Sequence, residues 1–328
     1  MWSKEFVERR VGTLLALVVA AAVALLLTGA SGAAPGDVTT VRNAPVVALA
    51  VSGSIVAATL DEGPVECRHV ELWNAASNKA THLGKKLPCD ASGLLRGPAI
   101  LGNRAVWASS IGGNLQDWTV WTASTTSPTP KALAKVNGIP TGDPDPVVIG
   151  STAAGVIAYA VGSAVTALRA NGSTAWKQTA PAKVTLLASG EAYGKGSEVT
   201  LVSTADGKAV SVDGSGKLTP AGTTDGITVL CIIAGGSLIA QKPGMLVVPG
   251  SPPKTIPIAA NARLVGCLPD IAIYRVGAKV SGLRVSTGKT ATLLTGTKVV
   301  AVSPQGIAWA TKSTLHWRPL AAALKPLG

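Results

Sequence analysis

The sequence predicts an all-β fold: a seven-bladed β-propeller, with a six-bladed ring as the alternative, preceded by one N-terminal transmembrane or signal helix. Three observations predict it. First, a weak motif recurs seven times along the 328 residues. One column of it reads Ala57, Trp107, Tyr159, Tyr193, Ala240, Tyr274 and Trp309, each ending a short apolar run (SIVA, RAVW, VIAY, GEAY, SLIA, IAIY, GIAW). A second apolar column follows each of these (VELW, TVWT, VTAL, VTLV, MLVV, SGLR, TLHW). Spacings within a column run from about the low thirties to about fifty and average near forty, the length of one four-stranded blade. Second, only 14% of residues are charged, and the 47% that are hydrophobic are mostly small or β-branched, which favours strands over amphipathic helices. Third, the 37 glycines and 21 prolines are spread along the chain, as many turns require.

Taken in order, residues 1–10 form a short n-region carrying Lys4, Arg9 and Arg10. Residues 11–30 follow as an uncharged apolar stretch of twenty, about 30 Å long as a helix. The preceding cations keep the N-terminus cytoplasmic and put everything after about residue 31 outside. Two outcomes stay open. Either the segment is an uncleaved membrane anchor, or it is a signal peptide cut after Ser31-Gly32-Ala33, where small residues stand at the right places. Residues 31–43 read as a tether that enters a strand, and 44–328 as the propeller domain.

The repeats then run over about 44–87, 92–136, 144–182, 183–222, 226–259, 262–297 and 298–326. The Gly-containing turns ANGS, ADGK and STGK read as hairpins between third and fourth strands. A lone blade cannot bury both of its faces, so the aromatic members of the first column read as wedges between stacked blades. The last repeat is short, and residues 37–43 are available to supply a strand beside it and close the ring.

Four cysteines agree with an oxidising compartment. Cys67 and Cys89 flank HVELWNAASNKATHL, an outer hairpin turning near Ala76-Ser77. Cys231 and Cys267 lie in the inner runs of consecutive repeats. The expected pairs are Cys67–Cys89 within a blade and Cys231–Cys267 between blades, each contributing roughly 3 kcal/mol.

The segments AVTALRANGSTAWK and KVSGLRVSTGKTATLL resemble repeats of bacterial quinoprotein-like propellers, and ELWNAASNKATHL is similar to the end of a WD40-type repeat. The resemblance implies a propeller fold. The quinoprotein dehydrogenases use an acidic metal site and, in some members, a vicinal cysteine pair. This chain has no Cys-Cys, and its acids do not gather on inner strands, so the catalysis does not carry over. Trp73 is followed by Asn74, and no Gly-His pair occurs, so a full WD40 signature is missing.

No catalytic, cofactor-binding or metal residue is assigned, and no cofactor is expected. His69, His82 and His316 are not at equivalent inner-strand positions. No GxSxG elbow, Walker loop or CxxC is present. Asp143 and Asp145 on a Pro-stiffened loop, and Asp61, Glu62 and Glu66 around Gly63-Pro64, are the two acidic loops considered for Ca²⁺ and read instead as solvated.

Net charge is +12 and unevenly spread. Residues 31–225 hold 15 Lys/Arg against 14 Asp/Glu, whereas 226–328 hold 11 Lys/Arg against the single acid Asp270. The basic surface comprises Lys242, Lys254, Arg263, Arg275, Lys279, Arg284, Lys289, Lys298, Lys312 and Arg318, with Lys325 beyond them. Such a field attracts polyanions. Compartment excludes nucleic acid, leaving an envelope protein or an anionic wall or lipid surface as partner, with the membrane itself engaged if the helix is uncleaved. The expectation is a non-catalytic protein-binding or scaffold module of the bacterial cell envelope. The alternatives are electrostatic attachment to wall polymer or lipid, and a hydrolase or lyase of envelope glycans with acids or histidines at the channel mouth.

Overall fold

Short Val/Ile/Ala/Thr runs punctuated by Gly-containing turns pair with their sequence neighbours as antiparallel hairpins. The computed structural model describes residues 36–62, 68–84, 94–150, 155–191, 198–224, 226–232, 238–248, 253–268 and 270–328. In it, residues Asp37–Gly328 form one unit of seven four-stranded antiparallel sheets. Blade 1 comprises Val46–Ser52, Ile55–Asp61, Arg68–Asn74 and Lys79–Leu83. Blade 2 comprises Leu95–Leu101, Arg104–Ile111, Leu115–Ser124 and Ser127–Pro140, and blade 3 Val147–Ile149, Val156–Val161, Ala164–Arg169 and Thr174–Thr179. Blade 4 comprises Val184–Glu191, Glu198–Thr204, Lys208–Asp213 and Leu218–Thr223, and blade 5 Val229–Ile232, Leu238–Lys242, Met245–Val248 and Lys254–Pro257. Blade 6 comprises Arg263–Leu268, Ile271–Val276, Lys279–Arg284 and Thr290–Leu294. Blade 7 takes Val299–Val302, Gly306–Thr311 and Thr314–Pro319 from the end of the chain and Val38–Val41 from its other end. That last strand lies antiparallel to Thr314–Pro319, with Val38 opposite Trp317 and Val41 opposite Thr314. The six-bladed alternative is thereby set aside. The inner strand of blade 1 touches those of blades 2 and 7, so the ring is closed.

Hydrophobic clusters fill the seams between successive blades, and strand alternation feeds them. Along Val156–Val161, Ile157 and Tyr159 pack towards blade 2, while Val156, Ala158 and Ala160 pack towards blade 4. Trp107, Tyr159, Tyr274 and Trp309 each turn back onto the preceding blade. Between blades 7 and 1 the wedge is Trp73 and Trp317 with Val56, Ala58 and Leu315. Burying one such large side chain stabilises by about 1.5–3 kcal/mol relative to exposure.

Two members of the first column are displaced. Ala57 faces blade 2, and its neighbour Ala58 takes the backward-facing position. In blade 4 the second strand is Glu198–Thr204, downstream of the GEAY run, and Val202 is the residue that faces blade 3. Tyr193 lies outside the described residues. The turn ADGK consequently joins the second and third strands of blade 4, whereas ANGS and STGK join third to fourth strands in blades 3 and 6.

Cys231 and Cys267, on the inner strands of blades 5 and 6, form a disulfide with a Cα separation of 6.0 Å. Cys67, Cys89, Glu66 and the apolar segment 11–30 lie outside the described residues. Among the described residues, no helix is long and apolar enough to cross a membrane.

Candidate interaction face

Strand direction divides every blade between two faces. We call upper the face at which inner strands begin; it carries the turns between second and third strands and the links to the next blade. The lower face carries the turns between first and second strands and between third and fourth. Hydrogen bonds between blades respect this division. Arg275 Nη1 reaches Lys298 O at 2.6 Å across the upper face, and Lys254 Nζ reaches Val285 O at 2.8 Å across the lower.

The ten basic residues do not form one patch. Lys254, Arg284, Lys289 and Arg318 stand at lower-face strand ends and turns. Three of these four bind within the fold. Lys254 holds Val285 O, Arg284 Nη2 donates to Gly328 O at 2.8 Å, and Arg318 grips Asp37 through Nε at 2.5 Å and Nη2 at 2.7 Å. The hydrogen bonds from Arg318 hold the Asp37 carboxyl below its ordinary value and push the guanidinium up. Arg318 also lies 5.3 Å from the Trp309 ring centroid, and His316 stacks on that ring at 4.9 Å. Burial pushes the His316 imidazole down. The cavity bordered by Thr292, Thr295, Trp309 and Arg318 has a volume of about 250 Å³, below the ~300–1,000 Å³ usual for small-molecule sites.

The other six, Lys242, Arg263, Arg275, Lys279, Lys298 and Lys312, all stand at the upper ends of blades 5, 6 and 7. Lys242 ends a second strand, Arg263 opens an inner strand, and Arg263 pairs across to Arg275. Lys279 opens a third strand, Lys298 immediately precedes the inner strand of blade 7, and Lys312 sits in the turn before Thr314. Arg263, Lys279, Lys298 and Lys312 are exposed; Lys242 and Arg275 are half-buried. None of the six is in an ion pair with an acid among the described residues. Asp270, the one acid of 226–328, belongs to the lower face, where it accepts from Ser286 and pairs with Arg284.

A second feature shares the upper face, two of its members (Met245 and Val41) standing on the blades of this arc, and nothing in the sequence pattern signalled it. Among the described residues the large apolar side chains left exposed are Val41 (71%), Leu115 (58%), Ile111 (51%), Met245 (38%) and Val47 (37%), and these five lie at the upper ends of their strands. Met245 is paired directly with Lys242. Val41 faces Thr314, beside Lys312.

Several charged groups elsewhere are engaged within the fold. Asp145 Oδ2 takes Arg96 Nε at 2.5 Å, and Asp61 Oδ2 takes Arg68 Nε at 3.4 Å, so the two acidic loops are each met by a cation. Buried Glu71 meets Arg42 Nε at 2.6 Å and His82 Nε2 at 3.6 Å where the closing strand passes onto blade 1. Its burial pushes the carboxyl above its ordinary value, against the opposing pull of Arg42 and His82. His69 Nδ1 lies 3.8 Å from Glu62, and its ring is 5.2 Å from that of His82. His69 and His316 are on third strands and His82 on an outermost strand. At the upper ends of the described inner strands the charged side chains are Arg96 and Arg263, with Lys183 and Lys298 just ahead of their strands. Among the described residues, no group of three or more His, Cys, Asp or Glu is placed to hold a metal ion.

No family model and no curated protein matches the sequence. Solved structures do. A chain in the crystal structure of a mitotic checkpoint complex superposes with a TM-score of 0.50 at 14% identity, covering 85% of this chain and 93% of that one. The computationally designed protein Ika8 gives 0.45 at 12% identity over 85% and 97% of the two chains. Sqt1 of Saccharomyces cerevisiae gives 0.44 at 8% over 86% and 97%. At 14% identity the first likeness concerns the fold alone, and it agrees with the seven closed sheets: the chain is a seven-bladed β-propeller.

Proposed function

We propose that the chain is a non-catalytic binding or scaffold module that works outside the cytoplasmic membrane of a bacterium. It would be held there by residues 11–30 or released after cleavage, and it would recognise its partner through the upper face. The observation that supports this reading is the presence on one face, among the described residues, of six cations without paired acids and five exposed apolar side chains. Loops positioned by a rigid scaffold are where recognition usually resides. The apolar stretch behind Lys4, Arg9 and Arg10 and the disulfide between blades 5 and 6 support export. The bacterial setting rests on the resemblance of the repeats to quinoprotein-like propellers.

In-cell crosslinking followed by affinity purification from membranes tests the reading. A dominant envelope protein in stoichiometric yield is the expected result. Recovery without a protein partner, together with activity on wall glycans, would replace the scaffold by an enzyme. Attachment to wall polymer or lipid is the second reading, and the basic arc over blades 5–7 is the observation that favours it.

A further inference from the structure

Taking the scaffold reading as its basis, we infer that the upper face of blades 5–7 docks an acidic, partly apolar protein surface. Lys242, Arg263, Lys279, Lys298 and Lys312 would make the charge contacts, flanked by Met245 and Val41.

Three observations lead there. The first is charge. The arc spans three consecutive blades and contains no acid among the described residues, because Asp270 is on the opposite face. On the rest of the described upper face the charges are mixed and largely met: Arg42 by Glu71, Asp61 by Arg68, Asp145 by Arg96 and Asp206 by Lys208. A complementary partner is therefore steered to one sector of the ring. The second is preorganisation. Arg275 donates to Lys298 O at 2.6 Å, which ties blade 6 to blade 7 under the arc. Gln241, buried beside Lys242, bonds Ala262 O and Leu264 N and so fixes the backbone on either side of Arg263. The cationic side chains thus project from braced backbone, which lowers the ordering cost of association. The third is the apolar component. A bare polyanion needs only cations, and it leaves the confinement of Val41, Val47 and Met245 to this end of the blades without a use. A lipid surface is gripped by large apolar and aromatic side chains, and the exposed apolar residues bordering the arc are Val41, Val47 and Met245. Protein interfaces are enriched in Met and Arg relative to the rest of the surface, while lysines contact at the polar rim.

The test uses the purified chain and four probes: poly(Glu,Tyr), poly(Glu), polyphosphate, and phosphatidylglycerol vesicles. Poly(Glu,Tyr) is expected to bind tightest at matched charge, and binding should fall steeply between about 0.05 M and about 0.5 M salt. Reversal of Lys242, Lys279, Lys298 and Lys312 to Glu should weaken it by at least about tenfold. The lower-face control, Lys289→Glu with Lys325→Glu, should leave it unchanged per charge removed. Val41→Ser with Met245→Ser should erase the advantage of poly(Glu,Tyr) over poly(Glu) while keeping the salt dependence. Equal loss per charge on the two faces would reduce the effect to net charge and overturn the site. Polyphosphate or vesicles binding as tightly as poly(Glu,Tyr) would overturn the protein partner in favour of polymer or lipid. If the in-cell experiment recovers a protein whose crosslinks map to the lower face, the scaffold reading stands and the docking arc falls.

Discussion

The two faces of the ring carry similar residues and use them differently. On the lower face, cations reach backbone of a neighbouring blade or of the chain's last turn. Arg104 of blade 2 donates to Ala170 O and Asn171 O of blade 3, Lys254 of blade 5 to Val285 O of blade 6, and Arg284 to Gly328 O. Trp317 of blade 7 adds an indole bond to Gly53 O of blade 1 at 3.0 Å. The upper face has ties of its own, in Arg96 to Asp145 and Lys183 to Pro144 O, but over blades 5–7 most of the cationic head groups have no such bond. The comparison teaches that basic composition alone does not mark a binding surface. A cation whose donors are satisfied by neighbouring carbonyls stabilises the ring, and one left in solvent is available to something else.

The largest effect should come from the lower face. Trp317→Ala removes a buried ring that packs against Gly306 and ties blade 7 to blade 1, and should cost about 3–5 kcal/mol in denaturant unfolding. Arg104→Ala should cost about 1–2 kcal/mol by the same measurement, because two carbonyls on the turn of blade 3 lose a charged donor. Arg104→Lys should recover little of it, since an ammonium lacks the planar fork. Glu71 sharpens the picture from the ring-closing seam. Its folded carboxyl keeps a proton to higher pH than the unfolded one, whose ordinary value is 4.5. The stability this contributes is fully present below about pH 4.5 and lost as pH rises through the raised value. Unfolding measured across that window should show a falling slope that Glu71→Gln flattens, whatever its effect on absolute stability. The smallest effects belong to the upper face: Lys279→Ala and Lys298→Ala should each stay within about 0.5 kcal/mol. Were Lys279→Ala to cost as much as Arg104→Ala, the division between the two faces would collapse.

Blade number and ring closure were legible because they depend on features a single chain displays: apolar runs at a near-regular period, Gly turns, and a last repeat one strand short. Register was less legible where both faces of a strand carry the same kind of residue. In Ile55–Asp61 the run Val-Ala-Ala reads alike in either phase, so the pattern does not distinguish Ala57 from Ala58. In blade 4 the inner strand runs eight residues to Glu191, and its end, GE, looks in sequence like the opening of a second strand. The candidate site was half legible. Composition revealed the excess of cations after residue 226 but not their division, because consecutive turns of an antiparallel blade alternate between faces. Lys279 and Lys289 lie in one hairpin and yet at opposite ends of it. The exposed apolar residues gave no signal at all, since Val41 and Met245 look in sequence like any strand residue.

The pairing of Val38–Val41 with the final blade also governs timing. Asp37 and Arg318 are separated by 281 positions. During synthesis the strand that completes blade 7 precedes every other strand of the ring and must wait unpaired until its partner emerges. Closing so long a loop is entropically slow, and until it happens Trp317 and Trp73 have only part of their seam. The wait exposes a short β-prone edge, the kind of surface that recruits wrong partners. The expected vulnerability of this protein is therefore early in its life, and whatever shields residues 38–41 during synthesis decides how much of it reaches the closed ring.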